Sequence, residues 1–272
     1  MVRVGIIGAG HVGEALAQCF VRFGYKVKVA NSRGHDSLKA FSQMTGAEAV
    51  DVDAVSSQVD ILILAIPLGR VTALPKLIFT SLSSKAIVVD AGNYYPARDG
   101  EIAAIDQGIP EADWVSQQIG MKVVKAFNNI IASRLVTEGR PLGDLRRIAL
   151  PVAGGETEAR TAIMALVEAI GFTAYDAGSA GESWRQQPGQ PVYCTESTLH
   201  ELPYLLQRAD RAKAVRGRAK ATQILSKLPN DYPAEQLVKV SRFSVGLDRA
   251  KPSSWVAMVL SLIHISEPTR PY

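Results

Sequence analysis

Gly8-Ala9-Gly10-His11-Val12-Gly13 is the stretch on which the fold turns. Before it lies Val2–Ile7, a run dense in Val and Ile that reads as a buried strand. After it, Val12, Leu16, Cys19, Phe20 and Phe23 recur at helical spacing until Gly24 ends the pattern. Glycines spaced this way between a strand and a helix form the fingerprint of a phosphate-cradling turn. Gly8 permits the tight bend, Gly10 lets a diphosphate approach the backbone, and Gly13 lets the helix pack against the sheet. The helix N-terminus then offers free N–H groups and a positive dipole end, so Gly8, Ala9, Gly10, His11, Val12 and Gly13 are expected to bind a dinucleotide.

The alternation continues outward from that turn. Lys26–Ala30, Asp60–Ile66, Ala86–Asp90 and Lys122–Ala126 read as further strands, their apolar runs suited to a parallel sheet covered on both faces. Arg147–Val152 reads as a strand, Glu156–Ile170 as a helix stopped by Gly171, and Phe172–Tyr175 as a short strand. Asp176–Tyr193 is a long loop carrying Trp184 and Arg185, and Thr195–Leu225 reads mostly as helix. The expected fold class is α/β: a Rossmann-type doubly wound parallel sheet, a smaller C-terminal α/β capping region, and terminal helices.

The end of the second strand selects the dinucleotide. NAD binders place there an acidic residue that holds both ribose hydroxyls. Here the place belongs to Asn31, followed by Ser32 and Arg33. Asn31 carries no charge to repel a 2′-phosphate, Ser32 can donate to it, and Arg33 can pair with it through its planar fork. NADP(H) is the expected cofactor.

Ligands of open parallel sheets sit beyond the carboxyl ends of the strands. Ala65, Ile66 and Pro67 lie at one such end and can form an apolar wall for the nicotinamide ring. Asn93 and Asn128 lie at two others, where each can donate to the carboxamide or serve as an ordinary turn residue.

The 272 residues are 47% hydrophobic and 21% charged, which sets disorder aside. A net charge of +4 suits an anionic cofactor but is too small to point to nucleic acid. The longest apolar run, Ile61–Leu68, is too short to cross a bilayer, and no export signal is read, so a cytoplasmic enzyme without membrane partners is expected. Cys19 falls on an apolar helix face and reads as a free buried thiol. His11, His35 and His200 join no metal-ligand or nucleophilic constellation, so no metal is expected. Transfer between two redox rings needs close stacking rather than a protein acid, so the catalytic residues are left open. The basic stretch Arg208 to Lys220 reads as a solvated helix face.

Four regions follow. Residues 1–125 form the NADP-binding Rossmann domain, 126–210 a smaller α/β substrate-capping region, and 211–259 a mainly helical tail. Residues 260–272 resemble one reading frame of a sequencing adapter and are expected to be an artefact of processing, so His264 is assigned to no site. A homodimer is one assembly open to the chain.

The run Val4–Gly34, Leu64-Ala65-Ile66-Pro67, Val89–Tyr95 and Val124–Asn129 resemble NADPH-dependent reductases of the deazaflavin coenzyme F420. Trp184–Tyr193 resembles the bacterial branch of predicted dinucleotide-binding oxidoreductases, and the likeness covers about residues 2–240. It implies that Gly8, Gly10, Gly13, Ser32 and Arg33 hold NADP, with Ala65–Pro67 beside the nicotinamide. It also implies that the loops of Gly154 and Trp184 help close an acceptor cleft, in which Trp184 and Tyr193 can stack on a ring. His11 departs from the Gly- or Thr-rich turn of the archaeal enzymes. The function expected is hydride transfer between NADP(H) and a small-molecule redox acceptor of flavin or deazaflavin (F420-like) type. Two alternatives stand beside it: an NADP-dependent dehydrogenase of a small hydroxy acid or imine, and a non-catalytic NADPH-sensing module.

Overall fold

A computed structural model describes residues 2–225, 227–229 and 232–266. Eight strands form one sheet: β1 (Arg3–Ile7), β2 (Lys26–Ala30), β3 (Glu48–Ala49), β4 (Ile61–Leu64), β5 (Ile87–Asp90), β6 (Val123–Lys125), β7 (Ala149–Gly154) and β8 (Thr173–Asp176). Their order is β3-β2-β1-β4-β5-β6-β7-β8. Every pairing is parallel except β6 with β7. The sheet is therefore Rossmann-type α/β, with strand order reversing beside β1.

Period-two alternation sorts the apolar side chains of each strand to opposite faces. Val4, Ile6, Ile61, Ile63, Val89 and Val124 join Leu16 and Phe20 of the helix His11–Arg22 in one core. Ile7, Leu62, Leu64, Val88 and Val123 join Trp114 and Val115 of the helix Glu111–Ile119 in the other. Both faces are thus covered, which is why these strands are continuous apolar runs.

The strand Asp60–Ile66 expected from sequence is shorter, running from Ile61 to Leu64. Strands β7 and β8 extend the same sheet, bridged by the helix Thr157–Ala169. Within the long loop Asp176–Tyr193, Ala180–Gln186 winds into a 3-10 helix.

Helix was expected over Thr195–Leu225, and here the structure differs. Cys194 and Glu196 take positive φ values of 55° and 47°, folding the chain back on itself. Ser197 then accepts from the Ala149 N–H, and Thr198 bridges Ile148, so 195–201 is tied to the start of β7 instead of coiling. Helix begins at Leu202, stops at Gln207, and resumes at Ala214 after Asp210 caps the turn Arg211–Lys213. Periodicity alone did not show these breaks.

Two further helices, Ala234–Ser244 and Pro252–Ser266, complete the described chain. Arg242 fastens the first of them by ion pairs to Glu201 and Asp248, both at 2.6 Å. The second helix runs across the expected boundary at residue 260, and residues 267–272 lie outside the described residues. No helix among the described residues is long and apolar enough to cross a membrane.

Candidate functional site

The three glycines of the first turn differ in what their surroundings allow. Gly8 has φ 117°, its N–H donates to the Ala30 carbonyl, and a Cβ there would stand 2.3 Å from the Ala65 carbonyl oxygen. A Cβ on Gly13 would stand 1.9 Å from the Gly8 carbonyl oxygen, so the helix can sit this close only without one. Around Gly10 there is nothing within 4 Å of the Cβ position. That glycine is not demanded by packing. It leaves space at the N-terminus of the helix His11–Arg22, whose first turn has no side-chain cap. Bare N–H groups facing open space are what a diphosphate needs. Ala9 and Val12 pack beside this turn and His11 is exposed.

At the end of β2, Asn31 is spent on the loop itself: its amide bonds Ser37 and accepts the Arg33 N–H. Ser32 and Arg33 are exposed, and among the described residues their side chains make no hydrogen bond or ion pair. His35 sits beside them on Asp51 at 3.0 Å. A hydroxyl and a guanidinium left free next to a glycine turn fit a 2′-phosphate.

Beyond β4, Ala65, Ile66 and Pro67 are half-buried and lead into a buried Leu68. Beyond β5 and β6, Asn93 and Asn128 come together. Asn93 Nδ2 donates to the Asn128 carbonyl at 2.8 Å and to the Tyr193 hydroxyl at 3.3 Å. Asn128 Nδ2 donates to Asn93 Oδ1 and to the Gln186 carbonyl. Gln186 Nε2 returns a bond to Asn128 Oδ1 at 2.8 Å. Both asparagines have therefore used their donors on each other and on the loop, and they present a braced wall. The buried acceptors left without a partner here are Asn129 Oδ1 and Gln186 Oε1. Phe127 holds φ 63° while fully buried, a strain of about 1–3 kcal/mol of the kind found where a site dictates the backbone.

Tyr193 meets the Tyr95 hydroxyl at 2.6 Å. Burial foremost, with Cys194 and Tyr95 adjoining, holds the Tyr193 phenol well above its ordinary value. Burial likewise raises Tyr95 and pushes the Cys194 thiol up to about 12. Trp184 is half-buried, with the guanidinium carbons of Arg185 and Arg211 lying 5.6 and 5.9 Å from its ring centre. Gly154 ends β7, where it pairs with Val124, and a Cβ there would stand 3.4 Å from Ala180, the first residue of the 3-10 turn that carries Trp184.

Three functional-looking residues escaped the sequence reading. Asp90, Lys125 and Glu111 form a fully enclosed ion cluster, with Lys125 Nζ at 2.7 Å from Asp90 and 3.1 Å from Glu111. Burial opposes the Lys125 charge, but the two carboxylates outweigh it and hold its pKa above the ordinary value. Burial raises Glu111 more than Lys125 lowers it. A charged residue ending each of the runs Val88-Val89-Asp90 and Val123-Val124-Lys125 was a visible signal, whereas nothing marked Glu111. Among the described residues no group of His, Cys, Asp and Glu could hold a metal ion.

A doubly wound sheet with this turn at its switch point defines a Rossmann-type chain of the dinucleotide-binding class. A family model described as "NADP oxidoreductase coenzyme F420-dependent" matches residues 3–94. The chain is 32% identical to protein SMa0349 of Sinorhizobium meliloti, described as hypothetical. That likeness covers 73% of this chain and 95% of the other, with a TM-score of 0.61. A candidate F420-dependent NADP reductase from Arthrobacter sp. FB24 shares the fold, at 20% identity, 66% and 86% coverage and a TM-score of 0.55. Protein YjhV of Escherichia coli K12 is 40% identical over 80 residues, covering 29% of this chain. The match spans only 56% of that curated relative's length. The chain belongs to the family of coenzyme F420-dependent NADP oxidoreductases.

Proposed function

We propose that this protein is an NADPH-dependent oxidoreductase that moves a hydride between NADP(H) and a flavin- or deazaflavin-type acceptor. The observation that carries the reading is the turn at Gly8–Gly13, with its open position at Gly10 and, just past the end of the neighbouring strand, the exposed side chains of Ser32 and Arg33, unpaired among the described residues. In this reading Gly8, Ala9, Gly10, His11, Val12 and Gly13 carry the diphosphate, and Ser32 and Arg33 the 2′-phosphate beside Asn31. Ala65, Ile66 and Pro67 form the apolar wall of the nicotinamide half, and the Asn93–Asn128 pair closes it.

When bound, NADPH supplies the hydride. The protein supplies position. An apolar wall excludes water, and a braced polar wall fixes the angle at which a second ring approaches. Tyr193 adjoins that wall, its hydroxyl accepting from Asn93, and is the residue assigned to the acceptor side. Trp184 is engaged by two arginines and borders the cleft through Gln186 of the same 3-10 turn. Gly154 shapes the path of that loop rather than its closure, since the Gly154 N–H donates to Gly178 at its start.

Anaerobic stopped-flow measurement of NADPH absorbance tests the proposal, with FMN, an oxidised deazaflavin, a small oxo acid (the oxidised form of a hydroxy acid), an imine and a ferric chelate offered in turn. Oxidation by the flavin or deazaflavin supports it. Turnover of the oxo acid or imine alone moves the protein to the class of dehydrogenases of small hydroxy acids or imines. NADPH binding without turnover of any acceptor leaves the sensing module.

A further inference from the structure

Lys125 has 0% side-chain exposure and donates three times: to Asp90 Oδ2 at 2.7 Å, to the Gly92 carbonyl at 2.7 Å, and to Glu111 Oε2 at 3.1 Å. An ammonium has three N–H groups, and all are accounted for. The two carboxylates each use their second oxygen on the same short segment. Asp90 Oδ1 accepts the Gly92 N–H at 2.9 Å, and Glu111 Oε1 accepts the Tyr94 N–H at 3.2 Å. The cluster thereby holds both backbone polar groups of Gly92 and the N–H of Tyr94. Arg98 takes the carbonyl of Asn93 from the outer side. Gly92 has no slack: a Cβ there would come within 2.7 Å of Leu68 and 3.1 Å of Asp90.

Burying three charges is expensive, and an apolar trio could fill the same volume at lower cost. What an apolar trio could not do is satisfy three buried backbone groups at the bend following β5. The cluster makes sense as a clamp on the segment that presents Asn93 to Asn128 and Tyr193.

We propose that Lys125 is a positioning residue for the nicotinamide half of the cleft: it touches no ligand, and it acts by fixing Gly92–Tyr94 through Asp90 and Glu111. The inference rests on the NADP reading above. It assigns the clamp to one half of the dinucleotide only, because among the described residues no hydrogen bond or ion pair joins the cluster to the turn at Gly8–Gly13 or the loop Asn31–Arg33.

Titration calorimetry with two probes tests it, comparing NADPH with adenosine 2′,5′-bisphosphate, which carries the 2′-phosphate and lacks the nicotinamide. Lys125→Met is expected to weaken NADPH by about tenfold or more and the bisphosphate by less than about twofold. Glu111→Gln, which keeps an acceptor for Tyr94 and removes one carboxylate, is expected to show the same split at smaller size, and it carries the test if Lys125→Met does not fold. Equal weakening of both probes reduces the cluster to general support and overturns the inference. Unchanged NADPH affinity in both variants overturns it as well. Wild-type protein that binds neither probe removes the NADP reading and this inference together, a result separable from the other two by the wild-type titration alone.

Discussion

The Cβ position of Gly13 lies 1.9 Å from the carbonyl oxygen of Gly8, while that of Gly10 meets nothing within 4 Å. Of two glycines three residues apart, one is thus demanded by packing and the other is not. Gly13→Ala is expected to cost about 2–3 kcal/mol by overpacking against backbone that cannot yield, lowering the melting temperature by about 5–10 °C. Gly10→Ala is expected to melt like wild type and to lose NADPH affinity by about tenfold or more, because its methyl group enters the phosphate space. Calorimetric melting and NADPH titration on the pair would check this. A Gly10→Ala protein with wild-type affinity would contradict the assignment of the turn.

Arg33 stands free at the end of β2 beside an equally free Ser32. Arg33→Ala is expected to weaken NADPH binding by about 1.5–3 kcal/mol, the worth of a charged hydrogen bond, and to leave NADH binding within about twofold. Equal losses for the two cofactors would show that Arg33 does not read the extra phosphate.

Much of this was legible in the chain because it is written in local signals. Continuous Val and Ile runs placed the central strands, and glycine spacing placed the turn. Asn31 in place of a carboxylate pointed to NADP before any geometry was available. What could not be read was non-local. The antiparallel entry of β7, which sets Gly154 opposite Val124, depends on which sheet edge accepts a returning chain. The mutual bonding of Asn93 and Asn128 joins residues 35 apart, and that of Tyr95 with Tyr193 joins residues 98 apart. The basic stretch Arg208 to Lys220 read as a solvated face, and Arg208, Arg211, Arg216 and Lys220 are exposed, but Arg218 is buried. Its partners, Asp106 and Tyr94, are more than a hundred residues away.

Neither cysteine is expected to react in the folded protein. Cys194 is buried and pushed up to about 12, and burial also raises Cys19. The thiolate is the nucleophile, and burial disfavours it at both positions. Mass spectrometry after iodoacetamide treatment should find both unmodified natively and both modified in urea. Native labelling of Cys194 would show that the Tyr193–Cys194 segment opens.

His35 gives a pH signature next to the phosphate pocket. Its hydrogen bond to Asp51, then the charges of Asp51 and Asp36, raise its pKa. A raised value in the folded state stabilises the fold fully below the unfolded value of about 6.5, and that contribution fades as pH rises through the folded value. The melting-temperature gap between wild type and His35→Gln should therefore be wider at pH 5.5 than at pH 9. The pair is exposed, so the gap will be small. A gap independent of pH would remove the imidazolium from the account.

Arg218 offers the sharpest contrast between neighbours on one helix. Its guanidinium lies 2.6 Å from Asp106 and 4.6 Å from the centre of the Tyr94 ring, with its side chain 5% exposed. The Tyr94 hydroxyl accepts the Ile102 N–H and shares its one proton between the Gly100 carbonyl and Asp106, so the arginine braces the same loop that Lys125 holds. Removing one partner of such a pair leaves the Asp106 carboxylate and an aromatic face uncompensated. Because Asp106 keeps some contact with solvent, Arg218→Ala is expected to cost about 3 kcal/mol, the lower end for a buried pair. Arg216→Ala, on the exposed side of the same helix, is expected to stay within about 0.5 kcal/mol. Urea unfolding of the two variants would decide. Equal stability would mean that the helix Ala214–Leu225 is not anchored to the sheet through Asp106 and that Tyr94 holds its loop without it.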